Sequence, residues 1–518
     1  LIPVLEIDDY NPYPSFQPGQ KEAVTEILEK FGSGERIIEL NAPTASGKSL
    51  DLYILGRILS EVYGLQKIVY TTPLVSLVNQ LRDTTEFTKM PVLVGKRNYP
   101  CGFTDTNAED CPFNTIEQAI SACGGGNPCT DCEHYRAHRI FTKSKFGATT
   151  LARYMTAGMA KDCAVLLIDE SAGLEHALVE RAKTKLPDHF DIRELRSSTV
   201  DEIAALSSKL KVVEEQRRNV ARELAAYYPA PRHLRDEAVK TAKEATILSR
   251  KIDRFSTILD CIDAEEKYLV DSDRNFRLIE GKRAFEKLTS KTSLTILASG
   301  TPTTKLFRTP FATVTIAHPI EISRRRCYYT PVGSMNYKQR GSTAPAMANE
   351  IEMLHEKYGN KKTMVHCGAY NIAELLYKNM SRDAKRITIC QNQQSREIDK
   401  SKFLDAKPPR IFLSVKFDEG LDLKGDKYPL NIIAKIPFEN ISDEFVAHRN
   451  KFDNYERYDL NAAVSVMQAA GRCTRTPDDF SATYILDSSW KQFFSRRKAL
   501  FHPWFLAAYS EQGAPKVW

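Results

Sequence analysis

The 518-residue chain is too long for one hydrophobic core, and at roughly 150 residues per domain it should hold three or four domains. Its 42% hydrophobic and 27% charged composition is that of a globular protein, and no run of about 18 apolar residues offers a transmembrane helix. The net charge of +7, from 73 basic and 66 acidic residues, permits a phosphate-binding groove without requiring one. The opening residues lack a basic stretch followed by a long apolar one, so no signal peptide and an intracellular, membrane-free setting are expected.

Taken in chain order, residues 36–40 and 67–72 read as strands and residues 50–62 as a helix between them, the alternation of a parallel α/β domain. Between the first strand and that helix stands Ala42-Pro43-Thr44-Ala45-Ser46-Gly47-Lys48-Ser49. A glycine-lysine-serine after a strand and before a helix is a phosphate loop, with Ala42 where the first glycine usually stands. Thr44, Ala45, Ser46 and Gly47 supply backbone around the phosphates, Lys48 reaches the β- and γ-phosphates, and Ser49 reaches magnesium.

Residues 95–150 break the α/β pattern and contain five of the eleven cysteines: Cys101, Cys111, Cys123, Cys129 and Cys132. In a reduced chain such a concentration suggests a metal site, because thiolates suit both iron–sulfur clusters and zinc. A strand at 164–168 then delivers Asp169 and Glu170, a pair suited to magnesium and to polarising water. Residues 201–227 and 236–269 carry helical periodicity, either a solvated hairpin or one wall of a channel. A strand follows at 294–298. A second α/β block is expected, with strands near 363–366, 411–415, 431–436 and 483–486, joined to the first near Pro345 and the Arg/Tyr-rich stretch before it. Gln468-Ala469-Ala470-Gly471-Arg472-Cys473-Thr474-Arg475 places two arginines three apart, suited to one helix face and to a γ-phosphate.

The order of these motifs resembles the XPD/DinG-type iron–sulfur DNA helicases of superfamily 2 over nearly the whole chain. Phe16-Gln17-Pro18-Gly19-Gln20 is similar to the adenine-side element of that family, with Gln20 as reader. Thr71-Thr72-Pro73 through Asn79-Gln80-Leu81 resembles its DNA-backbone motif, and Ser299-Gly300-Thr301 the motif that couples hydrolysis to movement. Asp418-Glu419-Gly420-Leu421-Asp422 resembles a motif of the second motor domain, which assigns Glu419 and Asp422 to the nucleotide, and Gln468, Arg472 and Arg475 match the arginine-finger motif. Gly95-Lys96-Arg97-Asn98-Tyr99-Pro100-Cys101 and Cys132-Glu133-His134-Tyr135-Arg136-Ala137 resemble the strings around the first and last cluster ligands. One departure stands out: where the family has D-E-A-H, this chain has Asp169-Glu170-Ser171-Ala172, so the histidine that links the nucleotide to the coupling motif is an alanine.

The resemblance implies two RecA-like α/β domains, the first interrupted by an iron–sulfur insert and a helical arch. The expected divisions are motor domain 1 over 1–94, 151–185 and 291–325, the cluster insert over 95–150, the arch over 186–290 and motor domain 2 over 326–518. It implies catalysis by Lys48, Asp169, Glu170, Gln468, Arg472 and Arg475 with ATP and magnesium, the metal held by Ser49 and Asp169. A [4Fe–4S] cluster would take four of the five cysteines, with zinc the competing metal and the choice between Cys123 and Cys129 open. Single-stranded and forked DNA are the implied partners of a monomer, with His134, Tyr135, Arg136, His138, Arg139 and Lys143 as contacts and 5′-to-3′ travel. A translocase without strand separation, or a cluster-bearing DNA-binding protein, are the alternatives.

Overall fold

The structure, a computed structural model, describes residues 6–43, 45–87, 90–101, 106–111, 113, 132–156, 159, 162–225, 231–301, 307, 309–415, 428–474, 476 and 478–511. The chain divides into two compact units. One comprises Leu1–Tyr13, Ser33–Ile38 and Leu52–Leu297, and the other Pro14–Gly32, Glu39–Asp51 and Ala298–Trp518.

In chain order the strands are β1 (Ile37–Asn41), β2 (Ile68–Thr72), β3 (Val92–Leu93), β4 (Pro100–Cys101), β5 (Thr106–Asn107), β6 (Phe146–Thr150) and β7 (Val165–Asp169). They continue as β8 (Thr184–Lys185), β9 (Tyr268–Val270), β10 (Asn275–Leu278), β11 (Leu294–Ser299), β12 (Ala312–Thr315) and β13 (Cys327–Gly333). The last six are β14 (Lys362–His366), β15 (Thr388–Cys390), β16 (Arg410–Ser414), β17 (Leu430–Ile433), β18 (Ala482–Asp487) and β19 (Tyr509–Ser510). The helices used below are α1 (Gln20–Gly32), α2 (Lys48–Glu61), α3 (Glu133–Lys143), α4 (Leu195–Ala225), α5 (Arg232–Asp263), α6 (Glu456–Ala470) and α7 (Pro503–Ala508).

Seven strands form one sheet in the order β12-β1-β11-β7-β2-β6-β3. In it β2 runs parallel to both β6 and β7, with Tyr70 opposite Leu167 and Thr71 opposite Ile168. The five residues of β7 are all buried, as a parallel strand covered on both faces requires. The strand expected at 164–168 is therefore present. Residues 146–150, however, fold as β6 within this sheet rather than in the cysteine-rich insert. Phe-Gly-Ala-Thr-Thr is short and weakly apolar, and its burial comes from its position between β2 and β3.

The second sheet has the order β15-β16-β14-β17-β18-β13-β19, and every pairing in it is parallel. One core cluster packs Ile351, Leu376, Ile432 and Tyr484, and another packs Ile433, Val466, Ile485 and Trp490. Ile432 and Ile433, like Tyr484 and Ile485, are adjacent in one strand and so point to opposite faces, which puts a core on each side of the sheet. The four strands expected in this block are all present. Pro345 does not mark the join: it lies inside the Arg340–Lys357 helix, and the sheet opens earlier, at Cys327, directly after the arginine-rich stretch.

The helical region inserted between β7 and β11 of the first sheet is an antiparallel-sheet hem, β8-β10-β9, plus the hairpin of α4 and α5. Along α5 the buried positions Leu234, Ala238, Thr241, Ala245 and Leu248 recur every three or four residues. The second helix ends at Asp263, and residues 268 and 269, expected at its end, belong to β9 instead. Among the described residues no helix is long and apolar enough to cross a membrane.

Candidate active site

The phosphate loop runs from the end of β1 into α2. Two of its residues take left-handed backbone: Ala45 at φ 71° and Gly47 at φ 78°. At Gly47 the requirement is double, because a Cβ would stand 2.3 Å from Nε2 of Gln20. Gly47 also ends the loop as the residue before the helix: its carbonyl accepts from Leu50 N at 2.8 Å and Asp51 N at 3.2 Å. The first-turn amides of α2, those of Lys48 and Ser49 among them, form a helix N-terminus suited to an anion. Ser46 is buried, and its hydroxyl donates to Pro43 O at 2.8 Å, so it shapes the loop from within. Lys48 and Ser49 are half-buried, and Thr44 lies outside the described residues.

Gln20, expected as an adenine reader, is wholly buried on α1. Its amide nitrogen donates to Gly47 O at 3.3 Å and to Asp51 Oδ1 at 2.9 Å, and its Oε1 accepts from Gln17 N at 2.7 Å. Both amide donors serve the phosphate loop and the helix behind it.

At the end of β7, Asp169 is buried, and its two oxygens are oriented from different sides. Tyr70 of β2 donates its phenol to Oδ2 at 2.6 Å, and the Glu170 amide donates to Oδ1 at 2.8 Å. Glu170 then adopts φ 51° and ψ 45°, left-handed backbone that is uncommon for residues other than glycine. Tyr70 was not anticipated; an aromatic hydroxyl in the middle of an otherwise apolar strand was the available signal.

Gln468 lies in the last turn of α6, which ends at Ala470 with Gly471 as its cap. Arg472 therefore sits in the turn beyond the helix, and the expectation of two arginines on one helix face is not met; Arg475 lies outside the described residues. Arg472 is buried, near His366 of β14, whose imidazole burial and the Arg472 charge hold down to a pKa of about 3. His366 Nε2 contacts Asn431 Oδ1 at 2.8 Å, and Asn431 Nδ2 donates to Ala469 O at 2.8 Å and Thr483 Oγ1 at 3.3 Å. This chain of buried polar groups fixes the end of α6. Glu419 and Asp422 lie outside the described residues.

In the cysteine segment, Cys101 and Cys111 are buried together with Phe113 and with Val220, Leu224, Leu234 and Ala238 of the hairpin. Arg217 of α4 donates to Cys111 O at 3.0 Å, and Lys243 and Arg250 of α5 pair with Asp110 and Glu109. The hairpin is thus a wall for this segment rather than a solvated appendage. Cys132 is the half-buried N-cap residue of α3. Lys96 lies within electrostatic reach of both Cys111 and Cys132; burial lowers its pKa and the thiols oppose that shift. Among the described residues no three His, Cys, Asp or Glu side chains converge to hold a metal, and Cys123 and Cys129 lie outside the described residues. Soft donors, burial and the nearby cations Lys96, Arg153 and Arg217 nonetheless suit an anionic sulfur-ligated centre.

On α3, Arg136, Arg139 and Lys143 are exposed and make a basic face; His138 is also exposed but lies off that face, and partial burial with the charges of Arg153 and Lys96 lowers its pKa. His134 is not part of the basic face either. It is 4% exposed, packs edge-on against Tyr99 at 5.3 Å, and burial lowers its pKa to about 3.

Residues 352–505 match the Helicase C-terminal domain family. No curated protein matches the chain. Among solved structures, Xpd4 of S. tokodaii is similar at 15% identity and TM-score 0.54, covering 96% of this chain and 100% of that one. An XPD helicase is similar at 12% identity and TM-score 0.60 over 96% and 100%, and an apo XPD at 14% identity and TM-score 0.56 over 95% and 100%. The two-sheet, RecA-like architecture is the one expected. These comparisons bear out the resemblance at the level of fold: the chain folds like the XPD structures it matches, and residues 352–505 match a Helicase C-terminal domain.

Proposed function

We propose that this chain is an ATP-hydrolysing superfamily 2 helicase that moves 5′ to 3′ along single-stranded DNA and parts the duplex at a thiolate-stapled wedge. The observation that carries the proposal is the phosphate loop. A left-handed Gly47, pinned by Gln20, leads directly into a helix N-terminus with Lys48 and Ser49 in its first turn. The match of residues 352–505 to helicase C-terminal domains supports the same reading.

In this mechanism Thr44, Ala45, Ser46 and Gly47 wrap the triphosphate, and Lys48 neutralises its β- and γ-oxygens. Ser49 and Asp169 would hold magnesium, which would supply positive charge to the phosphates. Glu170, aimed by its left-handed backbone, orients the attacking water. Arg472 and Arg475 stabilise the γ-phosphate, Gln468 helps to position it, and Glu419 and Asp422 complete the nucleotide contacts of the second motor block. Gln20, expected to read adenine, instead supports the phosphate loop from beneath, since it is wholly buried with its amide nitrogen and Oε1 both engaged. The exposed basic face of α3 holds DNA phosphates.

In this reading Cys101, Cys111, Cys132 and one of Cys123 and Cys129 would hold a [4Fe–4S] cluster. Such ligation would supply folding energy to a segment with little apolar content of its own. Strand displacement on a forked duplex tests the reading: wild type should unwind with ATP, and Lys48→Ala should not. Wild type that neither hydrolyses ATP nor unwinds would overturn it. Ala172 favours a second reading, a translocase without strand separation, which ATP turnover in the absence of displacement would support. Iron analysis of anaerobically purified protein separates the cluster from zinc, with about four irons expected.

A further inference from the structure

Two hydrogen bonds leave the turn at 299–301 in different directions. Ala42, the first residue of the phosphate loop, donates its amide to Ser299 O at 2.9 Å. Gly300 O accepts from the indole Nε1 of Trp504 at 3.1 Å. An indole N–H only donates, and a buried one needs a partner, so at 9% exposure this bond fixes where Trp504 sits.

The series continues from Trp504 into the helix that precedes Arg472. The Trp504 amide donates to His502 Nδ1 at 3.3 Å, and Arg325 Nη1 donates to the Trp504 carbonyl at 2.7 Å. His502 N in turn contacts Met467 Sδ at 3.2 Å. Met467 is fully buried in α6, directly before Gln468, and its carbonyl accepts from Gly471 N at 3.1 Å, the residue before Arg472. One face of the indole meets His318, with ring centroids 5.5 Å apart. A cavity of about 580 Å³ is lined by His318, Arg325, His502 and Trp504.

Ala172 has no polar side-chain atom, so it cannot form the hydrogen bond through which a histidine there would reach the coupling motif. We propose that Trp504 is the positioning residue that carries this coupling, tying the phosphate loop, through the 299–301 turn, to the helix that ends at Ala470, just before Arg472. The proposal rests on the helicase reading. A change at the phosphates that moves Ser299 is passed to Met467 by contiguous hydrogen bonds and packed groups.

The test is Trp504→Phe, which keeps an aromatic ring and removes the donor, alongside replacement of Trp504 by its benzothiophene isostere, which removes only the N–H. Both should lower the DNA-stimulated kcat for ATP about tenfold, the scale of one lost buried hydrogen bond, and reduce strand displacement per ATP. The KM for ATP should stay within error of wild type; the thermal midpoint should fall modestly, as losing a buried hydrogen bond requires, so rates are compared well below it. Unchanged DNA-stimulated kcat in the isostere variant overturns the proposal, as does a loss that follows KM or that scales with the unfolded fraction. If Trp504→Phe does not fold, the isostere decides. Wild type without ATPase activity overturns the helicase reading instead, so the two failures are distinct.

Discussion

The Tyr70 phenol donates a 2.6 Å hydrogen bond to Oδ2 of Asp169, linking adjacent parallel strands at the carboxylate assigned to magnesium. Both residues are buried, so the bond sets the carboxylate's orientation rather than merely accompanying it. Tyr70→Phe keeps the ring and frees that oxygen. It should raise the magnesium concentration for half-maximal ATP hydrolysis roughly tenfold, the usual effect of losing a group that orients a metal ligand. A magnesium titration of ATPase rate checks this, and an unchanged midpoint would show that Tyr70 only packs.

Gly47→Ala meets both a left-handed φ and the Gln20 amide 2.3 Å from the new Cβ. It should weaken ATP binding severely and lower stability by about 1–3 kcal/mol. Gly64→Ala supplies the control, since Gly64 has φ 67° with open space around it. That variant should lose about 1 kcal/mol in urea unfolding while its KM for ATP is unchanged.

Asn431→Leu cuts the chain from His366 to the carbonyl of Ala469. Because the Asn431 amide nitrogen donates to Ala469, its Oδ1 must accept, which puts the His366 proton on Nε2. The variant strands that donor and a carbonyl in the core. Unfolding free energy should fall by about 2–4 kcal/mol, and ATPase kcat should drop because the end of α6 loosens beside Arg472. Chemical denaturation paired with steady-state kinetics reads both effects.

Glu266 has its pKa raised to about 7, chiefly by burial, with Glu280 and Glu286 adding to the shift and Arg283 and Lys287 opposing it. In the unfolded chain the group titrates near 4.5. Between about pH 4.5 and 7 the folded state therefore holds a proton that the unfolded state has released, so stability contributed by this residue declines as pH rises through that window. Glu266→Gln should raise the thermal midpoint at pH 8 and leave it unaltered at pH 4. An equal change at both pH values would assign the effect to packing.

The parts of the site that could be read from residue order are those in which backbone conformation and chemistry depend on a few neighbours. The phosphate loop, the buried strand ending in Asp169 and the helix approaching Arg472 are of this kind, and each lies within a residue or two of its expected place. What escaped depends on distant partners. β6 is strand because it lies between β2 and β3, Tyr70 matters because β7 runs beside it, and His134 faces Tyr99 rather than solvent. The basic string on α3 misled at His134 because a helix only eleven residues long presents inward and outward faces in adjacent positions.

The pairing of β19 with β13 brings Tyr509 beside Cys327 and Ser510 beside Tyr328. Nearly two hundred residues must emerge from the ribosome between these two strands before their edge can close. Until then β13 exposes a row of unsatisfied amides and carbonyls on a strand rich in tyrosine, which is a template for pairing between nascent chains. Fragments that stop short of residue 509 should therefore aggregate rather than persist as smaller soluble motors.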